Sequence, residues 1–224
     1  MLSVSLIERS LAAGDHDRLL RDLADNGQPL PLGLRLRLGR GPAAPLGLAL
    51  RRLVELTYAP TPLSLGLTRR LLDLQDPDGH FGDPRNLEDP RNSGNPRSSP
   101  DPLATAAALA GLARVRRDHA SDRVPAGLDE RLAAGYAALA AMQGGDGLLT
   151  DADDRSAADR ARTTAFAVAL LGEDPAFRAA FRLADALAWF DAQDGRLDRH
   201  TTHLWDLARL AVAESHGLGV VAAA

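Results

Sequence analysis

One local signal occurs three times in this chain, and repetition constrains a fold more than any single motif. Three segments share the pattern [Gln/Asp]-x-x-Asp-Gly-x-apolar: Gln75 to Phe81, Gln143 to Leu149 and Asp191 to Leu197. Each is followed by Asp, three residues and Thr: Asp101 to Thr105, Asp159 to Thr163 and Asp198 to Thr202. Asp-Gly supplies a left-handed residue that stops a helix, and a Gln side chain can bond backbone groups freed at that end. An Asp at the next helix start meets exposed amides and the positive end of the dipole. The pattern therefore predicts stacked helical hairpins whose connecting turns are built alike.

The spacing of apolar residues predicts the helices themselves. Leu46, Leu50, Leu53 and Val54 mark a helix over 45–59, and Leu63, Leu67, Leu71 and Leu74 another over 62–74. Further helices are expected at 102–117, 128–142, 156–171, 175–192 and 201–215. Before them, residues 1–27 resolve into a short antiparallel pair, giving nine helices in all. Composition agrees: 41 Ala and 40 Leu stand against one Ile, eight Val and nine Thr, which excludes an all-β chain and disfavours a parallel sheet. The period shifts to two only where Leu32, Leu34, Leu36 and Leu38 alternate with Gly33, Arg35, Arg37 and Gly39, the mark of an extended edge segment. Residues 76–101 carry five prolines and few apolar side chains and read as a long polar loop. The expected organisation is an N-terminal pair and connector over 1–44, a repeat region over 45–216 and a tail over 217–224.

Absences narrow the chemistry. All 26 basic residues are Arg, as a GC-rich coding sequence favours, and with 30 acids the net charge is −4, so no basic footprint for nucleic acid exists. Without Lys there is no Schiff-base chemistry, and without Cys no thiolate, disulfide or Cys-bearing zinc site. The N-terminus reaches Glu8 and Arg9 after seven residues and reads as an amphipathic helix, not a signal peptide. No stretch has the ~20 apolar residues of a transmembrane segment. A cytoplasmic protein is the expectation.

The Gln-x-x-Asp-Gly-x-aromatic turn, followed by a helix such as Asp101–Leu112 (DPLATAAALAGL), resembles the repeat of the terpene cyclase, squalene–hopene cyclase and protein prenyltransferase β superfamily. The resemblance covers roughly residues 60–215. It implies an all-α fold, an α/α toroid of alternating inner and outer helices, here incomplete or open with about four hairpins. It also implies chemistry that can be tested residue by residue.

Cyclases of the squalene–hopene type protonate an alkene or epoxide with the middle acid of an Asp-x-Asp-Asp motif. A carboxyl can do this only if burial and its neighbours keep it protonated. In the register of the repeated Thr, the motif falls on Asp101–Ala104, Asp159–Arg162 and Asp198–Thr201, and the middle acid is missing from all three. A literal Asp151-Ala-Asp153-Asp154 stands eight residues before the expected place. It can face a cavity if its helix starts two turns early; otherwise it is an acidic helix start with Asp154 or Ser156 as cap. The nine aromatics are too few to line a polyene cavity. The zinc-dependent relatives need Cys, which is absent. His200 and His203, with Asp198 and Asp206, share one helix face, but two imidazoles without a second cluster make a weak metal site, and no metal or other cofactor is expected.

The sequence thus supports a toroid-like repeat acting as a ligand-binding or protein-interaction module, for an apolar or isoprenoid small molecule, a protein partner or a second copy of the chain. The alternative is a small proton-initiated (class II) cyclase-like enzyme with Asp151, Asp153 and Asp154 as catalytic acids. In either case Asp101, Asp159, Asp198, His200 and His203 would gather at the mouth formed by the helix starts. A further reading has the Leu32–Leu38 strand docking on a larger partner.

Overall fold

The computed structural model describes residues 43–56, 60–83, 99–119, 124–150, 156–193 and 195–214. The N-terminal pair, the Leu32–Leu38 segment, the tail, and Asp151, Asp153 and Asp154 lie outside the described residues. Within them the fold is all-α: α1 (Ala43–Leu56), α2 (Pro62–Leu74), α3 (Pro102–Asp118), α4 (Leu128–Ala141), α5 (Ala157–Leu171), α6 (Pro175–Ala180), α7 (Leu183–Ala192) and α8 (Arg199–Glu214).

Local chemistry explains most of these boundaries. Thr61 caps α2 by accepting from the Ser64 amide, while Ser64 accepts from the Thr61 amide, a reciprocal box. Pro62, Pro102 and Pro175 each occupy a first turn, where a missing N–H costs nothing. Asp101 and Asp174 cap α3 and α6 by accepting from the next free amides.

The packing has two layers. α1, α3, α5 and α8 lie side by side in a row, with α2 against α1 and α3, and α4 against α3 and α6. α1 and α3 approach until their backbones touch. A Cβ on Gly47 would lie 2.3 Å from the Ala107 carbonyl oxygen, and one on Gly111 2.4 Å from that of Gly47. Every residue of α3 from Pro102 to Leu112 is buried, as is every residue of α1 from Ala43 to Leu50. Helices apolar on all sides belong to the centre of a fold, and the alanines permit the close approach. α8 is different: Leu204, Trp205, Ala208 and Ala211 face the core, whereas Leu207 and Leu210 are exposed.

Two features depart from the sequence expectation. The helix expected over 175–192 is two helices, broken at Phe181 and Arg182. Phe181 is extended and stacks on Phe177 at 4.8 Å, while the Arg182 N–H leaves the helical ladder to donate to Gln143 Oε1 at 2.8 Å. The polar loop, in turn, closes on itself at its ends. β1 (Gly82–Asp83) pairs antiparallel with β2 (Ser99–Pro100), Gly82 opposite Pro100.

Candidate functional site

The repeated turn is the most elaborate polar structure among the described residues. In the first copy Gly79 has φ +91° and its N–H donates to the Asp76 carbonyl. The Gln75 side-chain amide donates across the turn to the Gly79 carbonyl (2.8 Å) and outward to that of Arg131 on α4 (2.9 Å). The Phe81 N–H donates to the Thr105 hydroxyl (3.0 Å), which itself donates to the Asp101 carbonyl. The second copy repeats the circuit. Gln143 donates to the Gly147 carbonyl, and the Leu149 N–H donates to the Thr164 hydroxyl, which donates to the Arg160 carbonyl. Each turn therefore ties three helices: the one it ends, the one it starts, and the next in the outer layer.

This circuit corrects the register read from sequence. The second equivalent of Thr105 is Thr164, not Thr163, because Thr164 is the residue that bonds its turn. Relative to that Thr, α5 begins one turn earlier than α3, not two. Ser156, with a non-helical backbone (φ −55°, ψ 153°), caps α5 by accepting from the Asp159 amide. Asp151, Asp153 and Asp154 lie before this cap in sequence, outside the described residues.

The five candidate residues at the helix starts are held as follows. Asp101 Oδ1 accepts from the Leu103 (2.9 Å) and Ala104 (3.0 Å) amides, so its carboxylate is an N-cap. Asp159 sits three residues into α5 and accepts from the Ser156 hydroxyl at 2.8 Å. Asp198 caps α8, accepting from the His200 and Thr201 amides and, at 2.6 Å, from the Thr201 hydroxyl. Arg162 brings two of them together, reaching Asp159 at 3.5 Å and Asp198 at 3.3 Å. The Thr201 hydroxyl foremost, with the Thr201 amide and Arg162, overcomes partial burial and holds the Asp198 carboxyl down at about 2. His200 lends only its backbone amide to this cluster and is half-buried; His203 is exposed. Among the described residues no group of three or more His, Asp and Glu side chains is placed to hold a metal ion.

At the opposite ends of the row lies a cleft of about 140 Å³ that the sequence did not point to, lined by Arg51, Arg114, Arg117, Leu170, Glu173 and Asp174 among others. Arg51 donates to the Leu170 carbonyl at the C-terminus of α5 (2.9 Å) and to Glu55 (3.1 Å). Arg114 pairs with Asp118, and Arg117 with Glu173. Burial works to raise the Glu55 carboxyl, but Arg51, Arg52 and Arg114 outweigh it and hold it below the usual range. The Tyr136 hydroxyl donates to Asp174 at 2.8 Å; burial first, then that carboxylate, push its ionisation far upward. The only hint in sequence was the arginine run Arg114, Arg116 and Arg117 at the end of α3. Each of these cations faces a carboxylate, so the cleft is a polar lock between helix ends, with no surplus charge for an anion. No family model, curated protein or solved structure matches the chain.

Proposed function

We propose that the chain is a terpene-cyclase-like α/α-toroid repeat that works as a ligand-binding or protein-interaction module, without the acid that starts a cyclase reaction. The observation that carries this reading is the use made of the helix-start carboxylates. A proton donor to an alkene must be a desolvated, protonated acid. Asp101 instead caps its helix, Asp159 pairs with Arg162, and Asp198 stays ionised down to about pH 2. The toroid-type arrangement is supported by α3, α5 and α8 lying adjacent, with the turns before α3 and α5 bonding in one pattern.

The test is product analysis after incubating the full chain with squalene and with geranylgeranyl diphosphate, beside Asp153→Asn. The expected result is no cyclised product from either protein. A cyclised product from the parent that disappears in Asp153→Asn would overturn this reading and establish the proton-initiated cyclase in its place.

A further inference from the structure

The cleft at the C-terminal ends of α3 and α5 sets an ion pair beside apolar side chains. Arg117, near the end of α3, pairs with Glu173 in the turn between α5 and α6, and both line the cleft. Neither side chain is deeply buried: Arg117 is 47% exposed and Glu173 33%. Arg117 also lies 3.4 Å from Asp118, a carboxylate that Arg114 holds as well. The backbone beneath Glu173 is fixed independently of its carboxylate. Arg178 donates to the Gly172 (2.8 Å) and Glu173 (3.2 Å) carbonyls, and the Asp174 N–H donates to that of Leu171 (2.8 Å). The lining also offers apolar surface to solvent, from half-buried Ala113 and Leu170 and from exposed Pro175. At about 140 Å³, the space is of the size that admits one benzene-sized group.

Charge balance decides what such a cleft can take. An anion on Arg117 would displace Glu173 and leave that carboxylate without its cation. A cation on Glu173 would leave Arg117 with Asp118 alone, which it already shares with Arg114. A zwitterion avoids both losses by inserting into the pair: its carboxylate accepts from Arg117, its ammonium donates to Glu173, and one ion pair becomes two. Parting the existing pair costs little, because ion pairs this open to solvent are weak. We propose that the cleft binds a free α-amino acid with a small aliphatic side chain, its carboxylate on Arg117, its ammonium on Glu173 and its side chain against Ala113, Leu170 and Pro175. An α-amino acid fits because both its charged groups stand on one carbon, so a guanidinium and a carboxylate that now touch need move apart only slightly to hold it. The site lies at the helix ends opposite the Asp198 cluster and does not depend on how the hairpins curve.

The test is ligand-observed saturation-transfer NMR on the full chain with leucine, N-acetyl-leucine and leucinamide at about pH 6, where a free α-amine is protonated. The three present one side chain as zwitterion, anion and cation. Leucine should bind saturably, and each blocked form should bind about tenfold more weakly, since each forfeits a charged hydrogen bond. Two substitutions should then reverse the choice. Glu173→Gln leaves Arg117 free for a single negative charge, so N-acetyl-leucine should overtake leucine; Arg117→Gln leaves Glu173 free, so leucinamide should. Loss of structure would weaken all three ligands together and cannot produce two opposite reversals. Equal affinity for the three forms in the parent would reduce the cleft to an apolar dent, and no saturable binding of leucine would leave it a lock between helices. An unchanged order of preference in both variants would place the leucine elsewhere. Each of these results overturns the proposal.

Discussion

Gly147 and Gly195 have nearly the same backbone, φ +78° and +69°, and opposite surroundings. The first presses on α7 so closely that no side chain fits, while the second has no neighbour among the described residues. The comparison separates two reasons for a glycine. Backbone conformation requires it in both turns, and crowding requires it in only one. The same contrast runs through the partner residues. Thr105 and Thr164 are buried and bond their turns, whereas Thr202 is exposed and, among the described residues, donates to the carbonyl of Asp198, the cap of its own helix.

The largest expected effect tests this directly. Gly79→Ala and Gly147→Ala each combine left-handed strain with a clash against neighbouring backbone, and each should cost about 3–5 kcal/mol in denaturant unfolding. Gly195→Ala carries the left-handed strain with no described residue in the way and should cost about 1 kcal/mol. A loss at Gly195 as large as at Gly147 would mean that the third turn is as crowded as the second.

A middle-sized effect is expected at the threonines. Thr164→Val leaves the buried Leu149 N–H without an acceptor and should cost about 1–3 kcal/mol, as should Thr105→Val for the Phe81 N–H. Thr202→Val should stay within about 0.5 kcal/mol. Equal losses at Thr164 and Thr202 by thermal unfolding would erase the distinction between covered and open turns.

The smallest effect is a pH dependence. Asp198 is held at about 2 in the folded chain against 3.8 for the free side chain, so its contribution is fully present above pH ~4 and fades as pH falls toward 2. Because that carboxylate is 44% exposed, the contribution should be under about 1 kcal/mol. Stability measured from pH 5 to pH 2 should fall slightly less steeply in Asp198→Asn than in the parent.

Much of the fold was legible because its causes are local. Pro62, Pro102 and Pro175 start helices, Asp101 and Asp198 cap them, and the Asp-Gly pairs at 78–79 and 146–147 stop them; each acts within one turn of chain. The candidate site was legible only as a set of residues. That Asp159 and Asp198 share Arg162 depends on α5 lying beside α8, with two helices between them in sequence.

The sequence by itself determined an all-α chain with a threefold turn signal, no thiol and no amine nucleophile, and acids at its helix starts, since composition, capping and turn chemistry are short-range. Only the tertiary structure decided the rest. Gln143 reached across 39 positions to break a helix at Arg182, Thr164 took the role expected of Thr163, and the ends of a polar loop paired as strands. Those outcomes turn on which distant backbone groups need a partner once the helices have packed, and no local pattern carries that information.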